Sequence, residues 1–532
     1  MTHLATTRKS LSSSVRRITR SRYVSWMPVD PTPPLHRYGF MNSLHYAPPR
    51  NWVNDPNGLI HHNGRYHLYF QYNPLGVDHT NLSWGHASSV DLVTWEDHPV
   101  AIAFDDGEQV YSGSVVVDEA GTTGFGNPEV PAFVALYTSM STITGRQVQS
   151  VAYSTDEGLT WTKYGGNPVL DRGSDNFRDP KIIRWQGQDE SYWVMVAVEA
   201  IDRQVVLYRS DDLLTWEFLS SFGPAGAVGG EWECPDLFPL RVDGTDETHW
   251  VLLVSLNPGA IAGGSGTQYF VGDFDGRTFT PHDGTPRVQA DDVPGLHALN
   301  WLDFGHDCYA GVTFAGLDDD SRTLIAWMSN WDYARHMPFD ADPPQRGRMT
   351  LPRRLSLVKV HGRLRVRQIP IGPPAGDSPT VVTEPVVVQS IRGACRIDLD
   401  VTPDGAAGFA VEFTDDNDSR VTLTYNCADQ ELTLDRQAAA HGFPPEFAGT
   451  VRLPVTPAPA AVPDDSAVVS LTIWLDGHAV EVYAENGTRV LTELIGSLDA
   501  SSVRVSGQGA SVRVSMRLSD LTGEGIAIPA AR

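Results

Sequence analysis

A polar turn followed by an aromatic residue recurs along the first half of the chain and constrains its fold more than any other feature. Ser89-Val90-Asp91 precedes Trp95, Ser154-Thr155-Asp156 precedes Trp161, and Ser210-Asp211-Asp212 precedes Trp216. A weaker copy, GDFDGRTFTPHDG, places Phe279 in the aromatic position. The four aromatics are 66, 55 and 63 residues apart. An interval of that length holds one four-stranded antiparallel sheet with its loops, the unit of a β-propeller. A last sheet across residues 303–360 brings the expected number of blades to five. The rival reading is a β-sandwich with chance Asp-x-Thr-Trp turns.

After residue 374 the texture changes. Short alternating runs such as VTLTYN, ELTLDR and VSLTIWLDG, separated by Gly, Asn and Asp, predict an antiparallel β-sandwich across 380–525. The Pro/Ala-rich stretch 454–465 reads as a loop within it. The expected architecture is therefore all-β: a basic disordered tail (1–36), a five-bladed β-propeller carrying catalysis (37–368) and a C-terminal β-sandwich (369–532).

Composition narrows the function. The 532 residues exceed one ordinary core, and 14 Trp, 48 Gly and 37 Pro fit strands and turns. No apolar run approaches the length of a membrane span. A net charge of −25 argues against nucleic acid and phosphate-rich ligands. Aromatics beside carboxylates without a basic face suit neutral sugars. Residues 1–29 hold six basic residues and no acid, so this tail is +6 and the remainder −31. The tail lacks the apolar core of a secretory signal. Cys234, Cys308, Cys395 and Cys427 form no Cys-x-x-Cys pair, so neither a structural zinc site nor a disulfide framework is expected. Reduced thiols and a cytoplasmic location follow as the expectation, with secretion as its alternative.

Three carboxylates stand out by context: Asp55 in WVNDPNG, Asp179 in FRDPK and Glu233 in EWECPDLF. Asn54-Asp55-Pro56-Asn57-Gly58 has the chemistry of a chain reversal, which would leave Asp55 at a strand end. Alone, Arg-Asp-Pro reads as a salt-bridged turn, and a Glu among aromatics as a solvated edge residue. Their recurrence in successive blade intervals points to one shared site. Glycoside hydrolysis needs an ionised carboxylate and a protonated one. Glu233, among Trp232, Cys234, Pro235 and Phe238, is the expected acid. Asp55, in a turn rich in amide donors, is the expected anion. Asp179 beside Arg178 is expected to stay charged and to grip substrate hydroxyls.

In that order and at those intervals, the three motifs resemble glycoside hydrolase family 32, the invertases, inulinases and levanases. The likeness extends through FQYNP (70–74), WGHASSVDLVTW (84–95), YSGS (111–114), WLDFGHDCYAGVTF (301–314) and IAWMSNW (325–331). It implies a retaining β-fructofuranosidase with a propeller-plus-sandwich fold. Asp55 would attack the anomeric C2 of a terminal fructosyl unit, and Glu233 would act as acid and then base. Asp179 would stabilise the transition state. Asn54, Gln71, Trp84, Ser112, Arg178 and Asp303, together with Tyr309 and Trp331, would line the fructose pocket. The implied substrates are sucrose, levan and inulin, attacked from the chain end. No metal, cofactor, nucleic acid or membrane is implied, and the protein would be a monomer or homodimer.

Departures from the family pattern are Val53 for Met, Tyr111 for Phe, and His306 and Cys308. The last two are expected near the leaving-group side, where they bear on substrate preference. A levan fructotransferase forming a difructose anhydride would use the same catalytic residues. An inverting furanosidase would separate its carboxyls by about 6.5–9.5 Å. A non-catalytic fructan-binding protein would not need all three.

Overall fold

The computed structural model describes residues 44–521 apart from 339–342, 375–379, 385–386, 392, 418, 460–466, 497 and 499. The tail expected over 1–36 lies outside them, as does the second half of the Pro/Ala-rich loop. All described residues belong to one compact unit, Asn42–Arg532.

The aromatic repeat marks the entry to the edge strand of a sheet. Trp95 precedes Glu96–Ile102, Trp161 precedes Thr162–Lys163, Trp216 precedes Glu217–Phe222, and Phe279 opens Phe279–Pro281. Side chains hold each turn. Ser89 Oγ accepts from the Leu92 amide at 2.8 Å and Asp91 Oδ1 from Thr94 at 2.7 Å. Ser210 and Asp212 repeat both bonds at the same distances. This is the local side-chain-to-backbone bonding that makes Ser and Asp turn residues.

Five four-stranded antiparallel sheets follow one another between residues 51 and 370. Their leading strands are Asn51–His62, Glu108–Asp118, Phe177–Gln186, Glu231–Arg241 and Tyr309–Thr313. Each packs on the next, and the fifth packs on the first. The junction is sealed by backbone: the His61 amide donates to Ala315 O and the Ala315 amide to Leu59 O, both at 2.9 Å. Gln345–Arg346 also adds a short parallel strand beside Asn51–Trp52.

Every leading strand carries a β-bulge at the same level. Asn54-Asp55 face the single residue Gln71, and Tyr111-Ser112 face Thr138. Asp179-Pro180 face Ala197, Cys234-Pro235 face Val254, and Ala310-Gly311 face Ala326. A bulge leaves one residue outside the ladder and re-aims side chains. Pro180 and Pro235 fit there because proline has no ladder donor to lose, and Pro56 directly follows the first bulge.

The Asn-Asp-Pro-Asn-Gly run is therefore not a chain reversal. It lies inside a twelve-residue strand, and the reversal comes later, at Asn63-Gly64. The same residues that favour turns here make two consecutive bulges. Gly58 sits in the second at φ +52°, where an added Cβ would be 2.8 Å from Tyr69 and Val115.

Beyond residue 380 two six-stranded antiparallel sheets face each other. Val421, Leu423 and Tyr425 alternate inward, as the period-two pattern requires. Buried ion pairs join this sandwich to the fifth sheet. Arg353, fully buried, bonds Asp303, Gln368, Glu481 and Thr492 at 2.7–3.0 Å. Arg436 reaches Asp307 at 2.8 Å and Glu493 at 2.7 Å.

Candidate active site

The five bulges bring together side chains that the sequence scatters over 255 positions, from Asn54 to Tyr309. Asp179, Cys234 and Ala310 hold left-handed backbone at φ +63°, +46° and +55°. Each such non-glycine residue costs about 1–3 kcal/mol and persists only where its surroundings fix it. Strain of this kind, on three neighbouring bulges, aims side chains into one space.

Asp55 is the most tightly held of the three carboxylates. Its Oδ1 accepts from Asn54 Nδ2 at 2.9 Å, and Asn54 is oriented by the Trp52 indole at 2.7 Å. Its Oδ2 accepts from Ser112 Oγ at 2.8 Å and from the Cys234 thiol at 3.5 Å. The same thiol reaches Asp179 Oδ2 at 3.6 Å, and the Cys234 amide donates to that oxygen at 2.9 Å. Cys234 thus joins the two aspartates. Burial, reinforced by Asp179 and Asp55, keeps its thiol pKa well above the usual range, so it remains a donor.

Glu233 lies beside them and is held by polar partners. Arg178 Nε donates to its Oε1 at 3.1 Å, and the Tyr309 hydroxyl donates to Oε2. Trp232 points the other way, its indole bonded to Ala227 O. Strand alternation separates these neighbours, which linear sequence places together. Arg178 also donates through Nη2 to Glu231 Oε2 at 2.7 Å. Glu231 and Glu233, two residues apart on one strand, share this guanidinium.

Burial raises the carboxyl pKa of Asp55, and the negative charge of Glu233 adds to the rise. Bonds from Asn54, Ser112 and Cys234 oppose it. Asp179 is raised as well. Its burial outweighs the lowering by Arg178, and Glu233 and Asp55 push it further up. Arg178 does favour the charged form of Asp179, as expected of its neighbour, but burial and two further carboxyls oppose it.

Gln71 stands opposite the Asn54-Asp55 bulge, buried, with both amide atoms unpaired. A buried amide with open donors and acceptor is placed to meet a polar ligand. Trp331 belongs to the apolar wall formed with Trp52, Cys234, Tyr309 and Trp327, and stacks on Trp52 at 6.0 Å. Trp84 is wholly buried behind that space. Its indole donates to Tyr111 O at 2.9 Å and so supports the Ser112 bulge.

Asp303 is a correction. Both its oxygens are taken by the sandwich seam: Oδ2 by Arg353 at 2.9 Å and the Thr492 hydroxyl at 2.6 Å, Oδ1 by the Thr492 amide at 2.9 Å. His306 and Cys308 are there too. His306 bonds Glu493 through its ring and its amide, and Cys308 lies 3.9 Å from Arg353. Both therefore lie at the seam with the sandwich. Val53, by contrast, is a core residue packed with Leu59, Phe70 and Met349.

Sequence reasoning missed Cys234, Glu231 and a buried pair below the carboxylates. Lys181, two residues after Asp179, lies 3.3 Å from Asp236, three after Glu233. Asp236 also accepts from the Thr313 amide at 2.7 Å and its hydroxyl at 2.8 Å. The signal was present as the tails of the FRDPK and EWECPD motifs, but only the register shows them facing each other.

Comparison with known proteins agrees with this arrangement. Residues 45–368 match the Glycosyl hydrolases family 32 N-terminal domain, and residues 376–520 the family 32 C-terminal domain. The chain is 38% identical over 527 residues to the extracellular exo-inulinase of Aspergillus ficuum, covering 91% of this chain and 95% of that one. It is 38% identical over 470 residues to the levanase of Bacillus subtilis, covering 85% and 65% respectively. The crystal structure of exo-inulinase from Aspergillus awamori superposes with a TM-score of 0.82 at 35% identity, over 91% and 98% of the two chains. These neighbours share a β-propeller followed by a β-sandwich. The expected cytoplasmic location is overturned by the extracellular relative: four scattered thiols were no guide to compartment. With both domain matches in order along the chain and these relatives beside them, the chain belongs to glycosyl hydrolases family 32.

Proposed function

We propose that this protein is a retaining, exo-acting β-fructofuranosidase that releases terminal fructose from sucrose or fructans such as inulin and levan. The observation that carries the reading is the convergence of Asp55, Asp179 and Glu233 on one set of strand bulges, tied together by Cys234, Arg178 and Tyr309. The exo-inulinase and levanase likenesses support it. The five sheets are read as the five blades of a propeller over 37–368, with the sandwich over 369–532.

In the first step Asp55 attacks the anomeric C2, its other contacts fixing the carboxylate against rotation. Glu233 gives its proton to the departing oxygen. Asp179, backed by the Cys234 amide, holds sugar hydroxyls as positive charge develops on the ring. In the second step Glu233 takes a proton from water, which attacks C2 and frees fructose. Retention by this route uses carboxyls about 5–5.5 Å apart. Gln71 and Arg178 supply further donors to the sugar, and Trp331 supplies the wall.

Product analysis on sucrose, inulin and levan in parallel tests the reading. Free fructose as the first and main product supports hydrolysis from the chain end. A difructose anhydride from levan would instead make the protein a fructotransferase.

A further inference from the structure

His249, Asp273 and His282 lie on one face of the fourth sheet, at the end opposite the carboxylates. His249 and Asp273 flank the Trp250–Gly272 pair, the last of the register between two adjacent strands. His282 follows the edge strand Phe279–Pro281 and bonds by its amide to Val271 O at 2.9 Å. Val271 and Asp273 share a face by strand alternation. The residues are 24 and 9 positions apart in sequence, so no spacing motif announces them.

One ligand atom from each lies within 4.8 Å of the others. His282 Nε2 is 2.9 Å from Asp273 Oδ2, and His249 Nδ1 is 3.8 Å from Asp273 Oδ1. Two ligands on one zinc ion stand roughly 3–3.5 Å apart, given bonds near 2.0–2.2 Å. The two carboxylate separations bracket that range, and the imidazole nitrogens, within 4.8 Å of each other, draw together with the exposed carboxylate to hold an ion.

A second observation points to a ligand. His249 Nδ1 is buried and has no hydrogen-bond partner, although the ring stands among polar groups. The other ring nitrogen faces Glu247 Oε2 at 3.9 Å, and Glu247 is anchored to Lys359 Nζ at 2.8 Å. At that distance the carboxylate is not hydrogen-bonded to the ring, but its negative charge lies on the far side of the imidazole. The two imidazole rings are nearly perpendicular, at 88° with centroids 4.8 Å apart, so their lone pairs can converge without ring collision.

We propose that His249 Nδ1, Asp273 and His282 Nε2 form a binding site for one divalent transition-metal ion of the Zn²⁺ class, completed by water. Two imidazoles and one carboxylate suit zinc better than calcium or magnesium, which take oxygen ligands. The ion ties three consecutive strands together. Its mechanical effect falls on Phe279–Pro281, which pairs with the sheet through only three residues. The net charge of −25 favours cation uptake at such a surface.

The test is calorimetric titration of chelator-stripped protein with Zn²⁺, beside thermal unfolding with and without the ion. The wild type is expected to bind one equivalent and to unfold at a higher temperature when zinc is present. His282→Ala and Asp273→Asn should each bind at least about tenfold more weakly and lose the thermal shift, since each removes one of three ligands. Both sites are surface positions, so circular dichroism is expected to show native folding. Absence of binding by the wild type, or binding unchanged in both variants, overturns the proposal.

Discussion

At the scale of single residues, the account turns on how Asp55 is kept ionised in a buried place. Burial raises its pKa, and donors from Asn54, Ser112 and Cys234 hold it down. Activity should therefore fall on the acid side as the nucleophile takes up a proton. Ser112→Ala removes one of the lowering bonds, so the acid limb of kcat/KM should move to higher pH; an acid limb unmoved or moved downward would contradict this assignment. Glu233→Gln removes the proton donor and should cut kcat/KM, which reports the first step alone, by about 10²–10⁴-fold on sucrose. With a leaving group that needs no protonation the loss should be much smaller, and equal losses on both substrates would remove Glu233 from the acid role.

At the scale of elements, the bulge is the structural device and the seam is its frame. The sequence showed where the carboxylates were because each sits in a motif with proline one or two residues later. It did not show the bulge, since Asn-Asp-Pro-Asn-Gly satisfies a turn and a bulged strand equally well; only pairing with Arg65–Asn73 decides between them. Asp303 was misplaced for a similar reason. Its motif neighbours Tyr309, which does enter the site, but the two are separated by a strap bonded to Val490 and Thr492 of the sandwich. Arg353→Met would leave Asp303 buried without its cation and Glu481 with His45 alone. A loss of about 3–5 kcal/mol is expected in urea unfolding. A near-wild-type midpoint would show that the seam does not depend on this pair.

At the scale of the whole molecule, the aromatic repeat made the sheet succession and the later sandwich legible, because period-two patterning and turn residues are local. The ring closure and the seam were not, being contacts between residues hundreds of positions apart. Titration should expose both parts. Burial pushes His67 down to about 4 and His86 to about 2, so each is neutral in the folded chain and gains a proton on unfolding. Their contribution to stability should be lost as pH falls below about 6.5. His45 behaves oppositely. Burial works against its charge, but Asp476 and Glu481 overcome this and raise it to about 9. That contribution is complete below about 6.5 and is lost as pH rises toward 9. Unfolding temperature against pH should thus decline on both sides of about 6.5 from these groups. His86→Phe should flatten the acid side, and an unchanged acid slope would exclude the buried histidines as its cause.

The most direct measurement compares fructose release from inulin by the wild type and by Asp55→Ala, with folding of both checked by circular dichroism. The account predicts free fructose from the wild type and a loss of about 10³-fold or more in the folded variant. Full fructose release by Asp55→Ala would show that another group attacks the sugar.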